Sequence, residues 1–235
     1  MVYGVIPAAG LGRRMGSGAA KKTFLSLRGC PVITYTWTAF QEVQEVDRII
    51  CVVAEEDMPY CKALLERGQW AKVDLILAGG AQRQDSVFAA LIWLEQSASQ
   101  EDIVLIHDAV RPLVTRELVS RVIAWAQAHG NAVAALPVFD TLKRVTADGV
   151  LKESLSREGL WVMQTPQAFR FGPLIEAHRH ARQEAFYGTD DTTLVSRLGN
   201  PVYCVEGLYE NIKITTPADM AFAERFLTGC KSDIA

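Results

Sequence analysis

Short, nearly all-apolar runs recur along the chain and alternate with stretches whose apolar positions fall three and four residues apart. The runs at 2–8, 47–54, 72–78, 102–108, 131–138 and 201–207 predict strands. Their lack of polar alternation is that of strands buried on both faces of a largely parallel sheet. The helical periodicity predicts helices over 31–45, 57–68, 84–97, 115–129, 173–186, 190–198 and 217–228. Thr115 and Thr216 stand at N-cap positions, and Pro217 and Pro31 fit first-turn positions. Strand–helix alternation predicts an α/β fold, a three-layer sandwich on a mostly parallel, Rossmann-like sheet. Residues 139–160 break the pattern: they are polar, alternate with period two, and hold the turn signal Asp148-Gly149. They predict a protruding β-arm within a single domain over 1–235. A two-stranded ribbon is marginal alone, so the arm is expected to lean on a second subunit, giving a homodimer.

Composition narrows the partners. The chain has 235 residues and a formal net charge of −3, which argues against a broad nucleic-acid-binding surface. No apolar run approaches the ~18–20 residues of a membrane span, and no basic-then-apolar leader precedes the first strand. The five cysteines include no C-x-x-C pair and are expected to be structural thiols, which fits a cytoplasmic protein. His178 and His180 lie two apart in a helix and so face differently, which argues against a metal-binding pair.

After the first strand comes PAAGLGRRMGSGAAKK, residues 7–22. A dinucleotide fingerprint would need a third small residue where Met15 stands, and an acid about twenty residues on. A P-loop would need closer glycines and a Lys-Ser/Thr pair. What remains is a glycine-rich turn with Arg13, Arg14, Lys21 and Lys22, at the carboxyl end of a strand. Glycine lets backbone N–H groups approach an anion, and arginine and lysine supply charge. The pattern points to a polyphosphate.

This stretch resembles the signature of sugar-nucleotide pyrophosphorylases and related nucleotidyltransferases. GGAQRQDSV (79–87), IHDAVRP (106–112), DTLKRV (140–145), REGLWVMQTPQAF (157–169), GTDDTTLV (188–195) and EGLYENIKITTPADM (206–220) continue the resemblance. In order and spacing they are similar to the 2-C-methyl-D-erythritol 4-phosphate cytidylyltransferase family. The resemblance implies transfer of CMP from CTP to 2-C-methyl-D-erythritol 4-phosphate, with release of pyrophosphate, by in-line attack on the α-phosphate, aided by Mg²⁺ held mainly by the CTP phosphates.

It also implies roles. Arg14, Lys22 and Lys213 would be catalytic, gripping phosphates and stabilising charge. Ala8, Ala9, Gly10, Gly80 and Ser86 would receive the base, and Ala109 the ribose. Asp108, Arg111, Thr141, Arg157, Thr165 and Thr189 would bind the acceptor, with Arg157 donated across a dimer interface from the returning strand of the arm. Asp108 is also a candidate metal ligand, and Asp190 and Asp191 are candidate helix caps. Two departures stand out: Lys21-Lys22-Thr23 replaces the usual Pro-Lys-Gln, so either lysine could grip the triphosphate, and Ala81 stands where the family often has a polar residue. A ribitol-5-phosphate cytidylyltransferase, or a catalytically inactive nucleotide-binding regulator, would share much of this pattern.

Overall fold

The computed structural model describes residues 1–10 and 21–227. In chain order its strands are β1 (Val2–Pro7), β2 (Ser26–Leu27), β3 (Cys30–Pro31), β4 (Arg48–Val53), β5 (Val73–Ala78), β6 (Ile103–Ile106), β7 (Asn131–Pro137), β8 (Leu142–Val145), β9 (Leu151–Leu155), β10 (Trp161–Arg170) and β11 (Tyr203–Glu206). The helices are α1 (Val32–Gln41), α2 (Met58–Arg67), α3 (Arg83–Leu94), α4 (Arg116–His129), α5 (Phe171–Gln183), α6 (Asp191–Arg197) and α7 (Pro217–Phe226). All six strands expected from the apolar runs are present, as β1, β4, β5, β6, β7 and β11, and so are the seven helices.

The described residues form a seven-stranded sheet in the order β11-β7-β10-β6-β1-β4-β5. Only β10 runs against the others. The apolar pattern did not reveal it. Gln164, Thr165, Pro166 and Gln167 interrupt its apolar residues, and proline in mid-run argues against a central strand. The strand accommodates them by a break in register with β7 between Met163 and Gln167.

Why the fold has three layers can be read from single strands. In β1, Val2 and Ile6 face one core with α1 and α4, while Tyr3 and Val5 face a second core with α3 and α5. Neighbouring β6 splits likewise, Ile103 and Leu105 to the first core, Val104 and Ile106 to the second. Both faces must therefore be covered by helices. The predicted caps hold: Thr115 accepts from the Leu118 amide, and Thr216 forms a capping box with Asp219 ahead of Pro217.

Strands β8 and β9 form a separate hairpin. Gly149 takes a φ of +86° at its turn, the left-handed conformation that the Asp-Gly signal anticipates. Cys51 and Cys61 are buried thiols and Cys204 an exposed one, whereas Cys30 is disulfide-bonded, so the expectation of thiols throughout fails at Cys30. Among the described residues no helix is long and apolar enough to cross a membrane.

Candidate active site

The parallel strands β1, β5, β6 and β11 end on the same edge of the sheet, and their following loops meet there, as in other open α/β sheets. Two cavities open between these loops. The first, about 410 Å³, is lined by Ala8, Ala9 and Gly10 after β1, by Lys22 and Thr23, by Ser86 of α3, by Ala109 after β6, and by Lys213 to Thr215 after β11. The second, about 350 Å³, is lined by Arg111, by Met163 to Thr165 and Gln167 of β10, and by Thr189, Asp190, Thr192 and Thr193. Arg83, Asp108 and Lys213 line both, so they form the shared wall.

Glycine is required where the β1 and β5 loops converge. A Cβ on Gly79 would lie 2.6 Å from both the Ala9 Cβ and the Ser86 Oγ. Any side chain there would push the wall of the first cavity apart. Gly80 lines a neighbouring cavity of about 580 Å³, together with Asp85, Phe88, Arg182 and Tyr187.

The two adjacent lysines have different surroundings. Lys21 donates to Glu56 and Asp57, each at 2.6 Å. Lys22 is buried, lines the first cavity, and donates through Nζ to the Thr215 carbonyl at 2.6 Å. Arg14 lies outside the described residues, as does Arg13.

Asp108 is the electrostatic centre. Its Oδ1 accepts from Arg83 Nε at 2.8 Å and its Oδ2 from Lys213 Nζ at 2.7 Å, with Arg111 Nε 3.9 Å away. Burial alone would raise the pKa of this carboxyl, but Arg83 and Lys213 outweigh that and hold it well below the usual carboxylate range. With each oxygen already on a cation, Asp108 does not fit as a metal ligand. Among the described residues no group of three or more His, Cys, Asp or Glu could hold a metal ion. The Lys213 loop is fixed against the Asp108 loop by Ile214 N to Val110 O at 2.8 Å and by Arg111 to the Asn211 carbonyl at 2.7 Å.

Thr165 sits at the break in β10. Its hydroxyl accepts from the Asp108 amide at 3.1 Å and contacts His107 Nδ1 at 3.0 Å. His107 Nε2 faces the Arg111 carbonyl at 3.2 Å, which can only accept, so Nε2 carries the proton and Nδ1 accepts from Thr165. Burial pushes the His107 pKa down to about 4, keeping it neutral. The Thr165 proton is thus directed to His107 and not to the second cavity. Asp190 is the N-cap of α6, accepting from the Thr193 amide. Asp191 is not a cap: it is buried and accepts from Arg83 at 2.6 Å.

Of the residues singled out from sequence, Ala8, Ala9, Gly10, Lys22, Ser86, Ala109, Asp108, Lys213, Arg111, Thr165 and Thr189 line the paired cavities. Gly80, Thr141 and Arg157 do not: Gly80 lines the neighbouring cavity, and Thr141 and Arg157 are exposed at the base of the hairpin. Arg157 is not on the returning strand but in the loop after β9, where it donates to the Phe139 carbonyl. Arg83, Asp191, His107 and His178 were missed. Arg83 had left a trace: a cation in the first turn of a helix opposes the helix dipole and calls for a paired anion.

Comparison with known proteins bears on the whole chain. The sequence model of the family described as 2-C-methyl-D-erythritol 4-phosphate cytidylyltransferase matches residues 2–229. A relative of that name from Geobacter metallireducens is 45% identical over 227 residues, covering 96% of this chain and 97% of the relative. One from Bacillus mycoides is 45% identical over 223 residues, covering 95% and 96%. The crystal structure of 2-C-methyl-D-erythritol 4-phosphate cytidylyltransferase from Thermus thermophilus superposes with a TM-score of 0.74 at 34% identity, covering 94% of this chain and 96% of that one.

Proposed function

This chain belongs to the 2-C-methyl-D-erythritol 4-phosphate cytidylyltransferase family, and from that membership and the paired cavities we infer that it transfers CMP from CTP to 2-C-methyl-D-erythritol 4-phosphate, releasing pyrophosphate. The alternatives of a ribitol 5-phosphate acceptor and of an inactive regulator give way to the family match.

The observation that carries the assignment of parts is the shared wall of Arg83, Asp108 and Lys213. CTP occupies the first cavity, with its base toward Ala8 to Gly10 and Ser86 and its ribose against Ala109. Methylerythritol phosphate occupies the second, its polyol against Thr165 and Thr189. A phosphate oxygen of the acceptor attacks the α-phosphorus of CTP. A new P–O bond forms, the bond from the α-phosphorus to the bridging oxygen breaks, and pyrophosphate leaves with the electron pair. The acceptor phosphate is already anionic, so no residue need remove a proton, and the protein supplies positioning and charge. Lys22 neutralises the triphosphate side, joined by Arg14 through its match to the family signature, and Lys213 meets the same centre from the acceptor side. Because Asp108 is saturated with cations, the divalent ion, Mg²⁺ in our reading, enters as part of the CTP substrate, on its phosphates.

The arm completes the assembly. Val145, Val150 and Leu151 are exposed apolar residues on its hairpin, which supports a homodimer whose partner receives Thr141 and Arg157 at its second cavity. The assignment of Lys213 is tested by Lys213→Ala. Loss of one contact to a developing charge predicts a fall in kcat on the order of 10²–10³-fold, with a much smaller change in CTP affinity. Unchanged turnover would remove Lys213 from the mechanism.

A further inference from the structure

A run of polar contacts leaves the shared wall and ends in the core. Lys213 Nζ meets Asp108 Oδ2 at 2.7 Å, and Asp108 Oδ1 meets Arg83 Nε at 2.8 Å. Arg83 NH1 meets Asp191 Oδ2 at 2.6 Å, and Asp191 Oδ1 meets His178 Nε2 at 3.0 Å. Asp191 and His178 are buried and line none of the three cavities described above.

The geometry at Arg83 is informative. A guanidinium beside a carboxylate favours a two-pronged bond to both oxygens. Here the fork is split between two carboxylates, and Arg83 NH2 is buried with no hydrogen-bond partner among the described residues. Each aspartate likewise gives one oxygen to Arg83 and the other to a different residue. Asp191 is what draws the fork away from Asp108. With its charge removed, Arg83 is free to close on both oxygens of Asp108 and to displace Lys213 from Oδ2. His178 fixes Asp191 from behind by occupying its second oxygen.

We propose that Asp191, oriented by His178, is a positioning residue for the transfer reaction: it holds Arg83 off the second oxygen of Asp108 and thereby sets the ammonium of Lys213 at the wall between the two substrates. The kinetic consequence rests on the reading that Lys213 meets the reacting phosphates. The geometric part does not.

A double-mutant cycle tests it. Asp191→Asn is expected to lower kcat/KM for methylerythritol phosphate by about tenfold or more, while the CTP dissociation constant stays within about threefold of wild type. In a Lys213→Ala background the same substitution is expected to cost less than about twofold, because the group it acts through is gone. An equal loss in both backgrounds, or no loss in the wild-type background, would overturn the proposal. If the Asp191→Asn chain does not fold, Asp191→Ser goes through the same cycle with the same expectation, since it too removes the carboxylate that engages Arg83. A second arm needs no turnover. The ¹³C signal of reductively methylated Lys213, identified by its loss in Lys213→Arg, should move on Asp191→Asn without substrates. A signal that stays put contradicts the proposal. A signal that moves in a protein with no transfer activity would uphold the positioning and instead overturn the functional reading.

Discussion

Lys21 and Lys22 are one peptide bond apart, and the sequence leaves open which of them grips the triphosphate. Position settles their surroundings: Lys21 is turned to Glu56 and Asp57, and Lys22 lines the first cavity. No local signal separates them, because Glu56 and Asp57 lie more than thirty residues away. His107 gives a prediction that turns on one proton. In the unfolded chain its imidazole titrates near ~6.5, whereas in the fold burial brings the pKa down to about 4. Between these values the unfolded state binds more protons, so stability rises with pH. The contribution is complete above pH ~6.5 and is lost as pH falls toward 4, at a total of roughly 3 kcal/mol. Chemical denaturation from pH 7.5 to 4.5 should show that loss in the wild type and a flatter profile in His107→Gln. Parallel profiles would mean that His107 already takes up its proton in the folded state.

Among the elements, the first turn of α3 carries the most. Arg83 joins Asp108 to Asp191, Gln84 bonds the Phe186 carbonyl and the Gly188 amide, Asp85 closes the capping box, and Ser86 lines the first cavity. One helical turn therefore ties the first cavity to the loop that carries Thr189. The GGAQRQDS motif made its start legible as a glycine turn into a helix, but not the partners of Arg83, which lie 25 and 108 residues away in sequence. The β8–β9 hairpin was legible from its polar period-two pattern, whereas β10 was hidden by Pro166 and its polar neighbours. If the arm gives Arg157 to a partner, mixing Arg157→Ala chains with Lys22→Ala chains should restore activity that neither has alone. Random reassortment makes about half the dimers hybrid, each with one intact site, so recovery to about a quarter of wild type is expected. No recovery after verified subunit exchange would place both residues in one chain's own site.

On the scale of the whole molecule, the fold followed from a simple constraint. Strands apolar on both faces must be covered twice, and ligand loops then gather at the carboxyl edge of the sheet. That much was written in the apolar runs at 2–8, 102–108 and 131–138. The shared wall was not, because Arg83, Asp108 and Lys213 come from three elements and meet only when the sheet has formed. We read this wall as the place where CTP meets methylerythritol phosphate. The measurement that tests it most directly is product analysis after incubation with CTP, Mg²⁺ and equal concentrations of 2-C-methyl-D-erythritol 4-phosphate and ribitol 5-phosphate. The expected dominant products are 4-diphosphocytidyl-2-C-methyl-D-erythritol and an equal amount of pyrophosphate. Preferential formation of the cytidylylated ribitol, or CTP binding with no pyrophosphate released above background, would contradict it.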